Sequence, residues 1–158
     1  MSGWTGPTFR DALVAALQAR PNLTGLTPPL LIAGYVQSID YPDSDVLTIG
    51  VKITDTREYA NIGPSAPSDE AVSLQCDLRV VRPGADKTVI DATETRVQLV
   101  MDEVALAIRD KTAMSWVTTQ ANNRRIDTRE YFNFPSDAGA AAVRVALVNF
   151  TVAYEART

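Results

Sequence analysis

The sequence predicts an α+β domain, with a mostly antiparallel sheet, two helices packed on one face and a long C-terminal strand. Three observations predict it. Two segments carry apolar residues at helical spacing, while most others alternate with period two. The strands come in runs and do not alternate strictly with helices, which separates α+β from α/β. The chain closes on "AAAVRVALVNFTVAYEART", rich in strand formers and free of glycine and proline. At about 3.3 Å per residue, Ala140 to Glu155 would run roughly 53 Å, far beyond a usual strand of about 5–6 residues.

"GPTFRDALVAALQARP" reads as the first helix. Thr8 is the expected N-cap, with Asp11 three residues on. Phe9, Leu13 and Leu17 share one face, and Pro21 ends the helix. "LLIAGYVQSI" and "VLTIGVKITD" then read as two strands joined by "DYPDSD" and paired antiparallel. Leu47, Ile49, Val51 and Ile53 form the expected buried face of the second. In "DYPDSD" the carboxylates of Asp40, Asp43 and Asp45 stand close in sequence, but the spacing lacks the glycine and late glutamate of a calcium loop. Turn chemistry is the better reading.

Residues 56–70 carry two prolines and a glycine with little periodicity, and predict a long loop. "AVSLQCDLRVVRPG" is the clearest strand, with Val72, Leu74, Cys76, Leu78 and Val80 on one face. The second helix runs from Lys87 or Asp91 to Lys111, with Val97, Met101, Val104 and Ile108 as its apolar seam. Glu94, Asp102, Glu103, Arg96 and Arg109 are expected on its outer surface. "AMSWVTT" predicts a short strand. "ANNRRIDTREYFNFP" predicts a polar turn and then a strand ending in Tyr131, Phe132 and Phe134. All 158 residues are read as one domain, with the long loop near 56–70.

Composition narrows function. Net charge is −4 and there is no histidine. Phosphate-backbone binding needs clustered Lys and Arg, Ser-His-Asp and Cys-His catalysis cannot be built from this chain alone, and a zinc site would rest on Cys76 plus carboxylates, a poor set. The one cysteine, Cys76, excludes an internal disulfide. It lies on an apolar strand face, where cysteine behaves as a small hydrophobe. The N-terminus lacks the pattern of a signal peptide, no apolar run is long enough to span a membrane, and the expectation is a cytoplasmic protein without cofactor or metal. Trp4 and Trp116 are candidate contact residues. Arg124, Arg125 and Arg129 are interleaved with Asp127 and Glu130, which favours a salt-bridge strip over a phosphate site.

The closing strand changes parity. Val143, Val145 and Leu147 are apolar early on one face, and Phe150, Val152 and Tyr154 late on the other. Either a bulge near Leu147–Asn149 puts both halves on one side, or the two ends are buried on different faces, the later one by another subunit. A monomer would leave much of such a strand as an open edge.

The order of a short amphipathic helix, a strand pair, a long loop, "VSLQCDLRVVRPG" leading to "TRVQLVMDEVALAIRDK", and a closing strand pair resembles the tail-terminator proteins of long-tailed bacteriophages. The resemblance covers nearly the full chain and is one of organisation and size. It implies a non-enzymatic ring, commonly a hexamer, at the head-proximal end of the tail. Such a ring ends growth of the tail-tube protein, offers a surface to the head-side connector or stopper, and lets DNA pass through its lumen unbound. An acidic chain suits that passage. The implied location is the virion tail, after assembly in the host cytoplasm.

The residues singled out for contacts are Tyr59, Asn61 and Ile62 in the long loop, Arg124, Arg125 and Arg129 beside a neighbour, and Phe150, Val152 and Tyr154 in a sheet contact. The alternatives are another neck or tail-tube component, or a small-ligand or enzyme domain of cone-shaped α+β fold using Asp77 or Tyr131 in a pocket between helix and sheet.

Overall fold

A computed structural model describes residues 5–35, 44–59, 68–110, 121–138 and 141–157. Helix α1 (Gly6–Gln18) leads through a short 3-10 turn (Pro21–Leu23) to strand β1 (Leu30–Ala33). Strands β2 (Asp45–Tyr59) and β3 (Ser68–Pro83) follow, then helix α2 (Lys87–Arg109), then β4 (Ala121–Ala138) and β5 (Ala141–Arg157). The five strands form one sheet in the order β1-β2-β3-β5-β4. The fold is α+β as expected, and mostly antiparallel, but β1 runs parallel to β2. That corrects the antiparallel pair read from sequence, since period-two alternation fixes a strand's faces and leaves its direction open.

The helices use the faces their periodicity gives. Phe9, Leu13 and Leu17 of α1 are sealed, as are Val97, Met101, Val104 and Ile108 of α2. They share one core with Val72, Leu74, Cys76, Leu78 and Val80 of β3 and with Val148, Phe150, Val152 and Tyr154 of β5. Helix α1 begins earlier than expected, with Thr5 as N-cap and Pro7 in its first turn, where a missing N–H costs nothing. Helix α2 begins at Lys87, the earlier of the two expected starts. Asp86 caps it by accepting from the Val89 amide at 3.1 Å. The buried face of β2 holds Leu47 and Ile49, and an irregularity between Thr48 and Lys52 interrupts its register with β3. Gly50 supplies the left-handed φ of +73° needed there.

Residues 56–59 and 68–70 of the expected long loop are strand instead, because β2 continues to Tyr59 and β3 starts at Ser68, and the rest of that loop lies outside the described residues. The polar turn expected within "ANNRRIDTREYFNFP" is instead part of β4, where two bulges and a positive φ at Asn123 absorb the polar residues. The short strand expected at "AMSWVTT", together with Trp4 and Trp116, lies outside the described residues.

Strand β5 is as long as expected but carries no bulge against β3. Their register is unbroken from Asp69–Arg157 to Pro83–Val143. Even-numbered residues from Ala146 to Ala156 are buried throughout. The switch predicted near Asn149 is therefore absent, and the even-numbered parity that carries Phe150, Val152 and Tyr154 also carries Arg144, whose side chain bonds Asn133 of β4. The bulges sit on the neighbour, β4.

Two buried polar clusters lock the layers. Asp45, fully buried, receives both guanidinium nitrogens of Arg82 at 2.7 and 2.9 Å and one of Arg96 at 2.7 Å. Arg96 also donates to the carbonyls of Thr27 and Pro28. Glu103 accepts from Arg20 and from Asn22, tying α2 to the end of α1. Both findings correct the reading of Arg96 and Glu103 as outer-surface residues. An apolar seam predicts which face of a helix is inside, and says nothing of charges that reach round its flank.

Candidate interaction surface

Both helices pack on the same side of the sheet. The other side is covered by no element among the described residues. In antiparallel pairs, residues directly opposite share a face, so the register maps this open side. Val81, Val145 and Phe134 form one transverse row, Arg79, Leu147 and Phe132 the next. Then come Asp77, Asn149 and Glu130, and beyond them Gln75, Thr151 and Thr128. The open face thus divides into an apolar end and a polar end. Burial pushes the Asp77 carboxyl above the usual aspartate range.

The apolar end reaches the sheet's edge. Tyr131, Phe132 and Phe134 are 44%, 45% and 40% exposed, and they are three of the five large apolar side chains exposed among the described residues. All three lie within four consecutive positions of β4, an edge strand with no neighbour on its outer side among the described residues. Phe132 and Phe134 point to the open face. Tyr131, opposite Val148, points to the helix side, where Asn133 donates to its hydroxyl at 2.8 Å. Asn133 also donates to Thr93 and accepts from Arg144, so side-chain hydrogen bonds tie this part of the edge to α2 and β5. A long edge strand with exposed aromatics is a template for another chain, and aromatic anchors dominate contact energetics.

The residues singled out from sequence fall in three places. Phe150, Val152 and Tyr154 are fully buried in the chain's own core, which corrects their assignment to a subunit contact. Their parity faces the helices. Tyr154 stacks on Phe9 and its hydroxyl lies 2.6 Å from that of Thr5. Burial pushes that hydroxyl up to about 12. Arg124, Arg125 and Arg129 are all on β4 but do not act together. Arg125 faces the open side opposite Ala153, within ion-pair distance of Asp127 at 3.5 Å and Glu155 at 3.7 Å. Arg129 stands opposite Phe150 on the helix side and is exposed. Arg124 is half-buried at a bulge, its Nη1 enclosed without a hydrogen-bond partner among the described residues. Tyr59 ends β2, while Asn61 and Ile62 lie outside the described residues.

Of the turn aspartates, Asp45 is committed to Arg82 and Arg96, and Asp40 and Asp43 lie outside the described residues. Asp77 and Tyr131 face opposite sides of the sheet and do not converge on one pocket. The residues missed by sequence reasoning are Phe132, Phe134, Val145, Leu147 and Val81 as one patch. Their signal was present in the early apolar parity of Val143, Val145 and Leu147.

No family model and no curated protein sequence matches this chain. Among the described residues no helix is long and apolar enough to cross a membrane.

Proposed function

We propose that this chain is a non-enzymatic, ring-forming structural subunit of a bacteriophage tail, of the tail-terminator kind. In this reading it forms a ring, a hexamer in the usual arrangement, on the head-proximal end of the tail tube. It ends tube polymerisation and presents a joining surface to the head-side connector or stopper, and it resides in the virion tail after assembly in the host cytoplasm. The observation that carries the reading is the sheet face that no element among the described residues covers, whose apolar end continues onto the aromatic edge of β4. Phe132 and Phe134 on it are 45% and 40% exposed, and association of repeated copies would bury them.

Two further features support it. Among the described residues one apolar cluster spans both helices, β2, β3 and β5, so the helix–sheet interface is given mainly to packing. The net charge of −4 suits a lumen through which DNA slides, because phosphates are not retained. The same surface would serve another neck or tail-tube ring, and tube ends discriminate between them. Purified chain is mixed with tail tubes of its phage, and bound mass is followed by light scattering and electron microscopy. The terminator reading expects binding at one end only, with tube growth stopped. Copolymerisation along the tube would identify a tube component instead, and a monomer indifferent to tubes would count against both.

A further inference from the structure

We infer that copies associate head to tail through the two edges of the sheet, the aromatic stretch of β4 on one copy pairing with β1 on the next. This rests on the ring-forming reading above and adds to it which surfaces meet and in what register.

The argument comes from the rows of the sheet. Leu31 pairs with Val46, Val46 with Arg79, Arg79 with Leu147, and Leu147 with Phe132. The next row runs Ile32, Leu47, Leu78, Val148, Tyr131, and the one after it Ala33, Thr48, Asp77, Asn149, Glu130. Leu31, Ile32 and Ala33 at one edge therefore stand level with Phe132, Tyr131 and Glu130 at the other. Directions match as well. Strand β1 runs with β2, and β4 runs against it, because each further pairing is antiparallel. Rotation about an axis along the strands preserves direction. It sets β4 of one copy antiparallel to β1 of the next, with no slide along the strand.

The facing side chains agree. Leu31 shares the open-face row with Phe132, and Ile32 shares the helix-side row with Tyr131. Beside β1 lie two shallow clefts of about 460 and 380 Å³, meeting at Gln18 and Ile32. Val14 and Ala15 of α1 wall the first, and Leu23 and Leu26 the second. An aromatic ring from the next copy's helix side has an apolar seat there. Arg10 and Asp11, paired with each other at 3.0 Å, line the cleft, and Arg129 adjoins Tyr131 in sequence and lies on the same helix side.

In the single chain the Gln18 amide donates to the Ile32 carbonyl at 3.0 Å, shielding that edge as natural sheets shield theirs. A pairing strand would supply an N–H in its place. Knob and seat lie on opposite edges, so the contact is heterologous. Such contacts close into rings or extend as filaments, whereas a two-fold contact stops at a dimer.

Disulfide trapping tests this. Leu31→Cys and Phe132→Cys are made singly and together in the full chain, whose own Cys76 is buried. Folding is checked by circular dichroism. Leu30→Cys with Asn133→Cys, one row along, replaces the pair if either substitution unfolds the chain. Under mild oxidation the mixed single variants should give a 31–132 linked dimer. The double variant should give a covalent ladder ending at the ring number, and adding Ala15→Arg to fill the cleft should abolish the link. Dimers from Phe132→Cys alone would mean two-fold β4 pairing and overturn the inference. An assembled chain, by light scattering, without a 31–132 link overturns it and leaves the ring reading standing. A chain that stays monomeric with tail tubes present as well as in solution, with no link, overturns both. A linked ring that ignores tail tubes upholds the inference and removes the terminator role.

Discussion

The Phe9 ring stacks on the Tyr154 ring, centroids 4.2 Å apart and planes 24° from parallel. This contact joins the first turns of α1 to the end of β5, and the Tyr154 hydroxyl adds a 2.6 Å hydrogen bond to Thr5. Tyr154→Phe keeps the stack and removes the hydroxyl, leaving Thr5 buried without that partner. The expected cost is about 1–3 kcal/mol. Phe9→Ala removes the ring and leaves a cavity, at about 3–5 kcal/mol. Urea unfolding of both variants checks the order, and equal costs would contradict the account.

Asp45 is the only carboxylate bonded to Arg82 and Arg96 among the described residues. Asp45→Asn strands two largely buried guanidinium groups. Breaking a buried ion network by removing one partner costs about 3–5 kcal/mol. Asn at this position should lower the denaturation midpoint as much as a core truncation does. Near-wild-type stability would show that water reaches the site.

Acid stability should depend on Glu103. Hydrogen bonds from Asn22, then from Arg20, hold its carboxyl below the ordinary glutamate value. A depressed folded pKa gives stability that is complete above the unfolded pKa. It is lost as pH falls through the lower folded one. Glu103→Gln should therefore destabilise at neutral pH and flatten the loss of stability on the acid side of the ordinary glutamate range. An unchanged acid slope in the variant would remove this carboxylate from the account.

Cys76 should be inert in the folded chain. Burial pushes its thiol up to about 12, so almost no thiolate exists at neutral pH. Ellman's reagent should find no reactive thiol in native protein and one after unfolding in guanidinium. Rapid labelling of the native chain would show that β3 opens.

Much of this fold is legible in the sequence because it follows from local rules. The seams Phe9–Leu13–Leu17 and Val97–Met101–Val104–Ile108 are helical spacings, and Val72 to Val80 is a two-residue alternation. What is not legible depends on partners distant in sequence. The direction of β1 is set by where the chain returns to begin β2. Arg96 and Glu103 turn inward because Asp45, Arg20 and Asn22 wait there. The length of β5 is legible, but Phe150, Val152 and Tyr154, expected at a subunit contact, belong to the chain's own core. Phe150 and Tyr154 are the bulkiest side chains of β5 and belong to the core with Val152, while the apolar residues the core leaves over are the earlier Val143, Val145 and Leu147. Their significance needs Phe132 and Phe134 on the adjacent strand, a pairing no local pattern specifies.

The central claim is that the apolar end of the open face and the β4 edge form a subunit boundary. Sedimentation velocity across a concentration series, comparing the wild-type chain with Phe132→Asp/Phe134→Asp, tests it most directly. Both positions are exposed, at 45% and 40%, so the double variant should keep its fold and its circular dichroism spectrum. The account predicts concentration-dependent assembly of the wild type and a folded monomer for the variant. Equal assembly of the two would contradict it, as would a wild-type chain that stays monomeric.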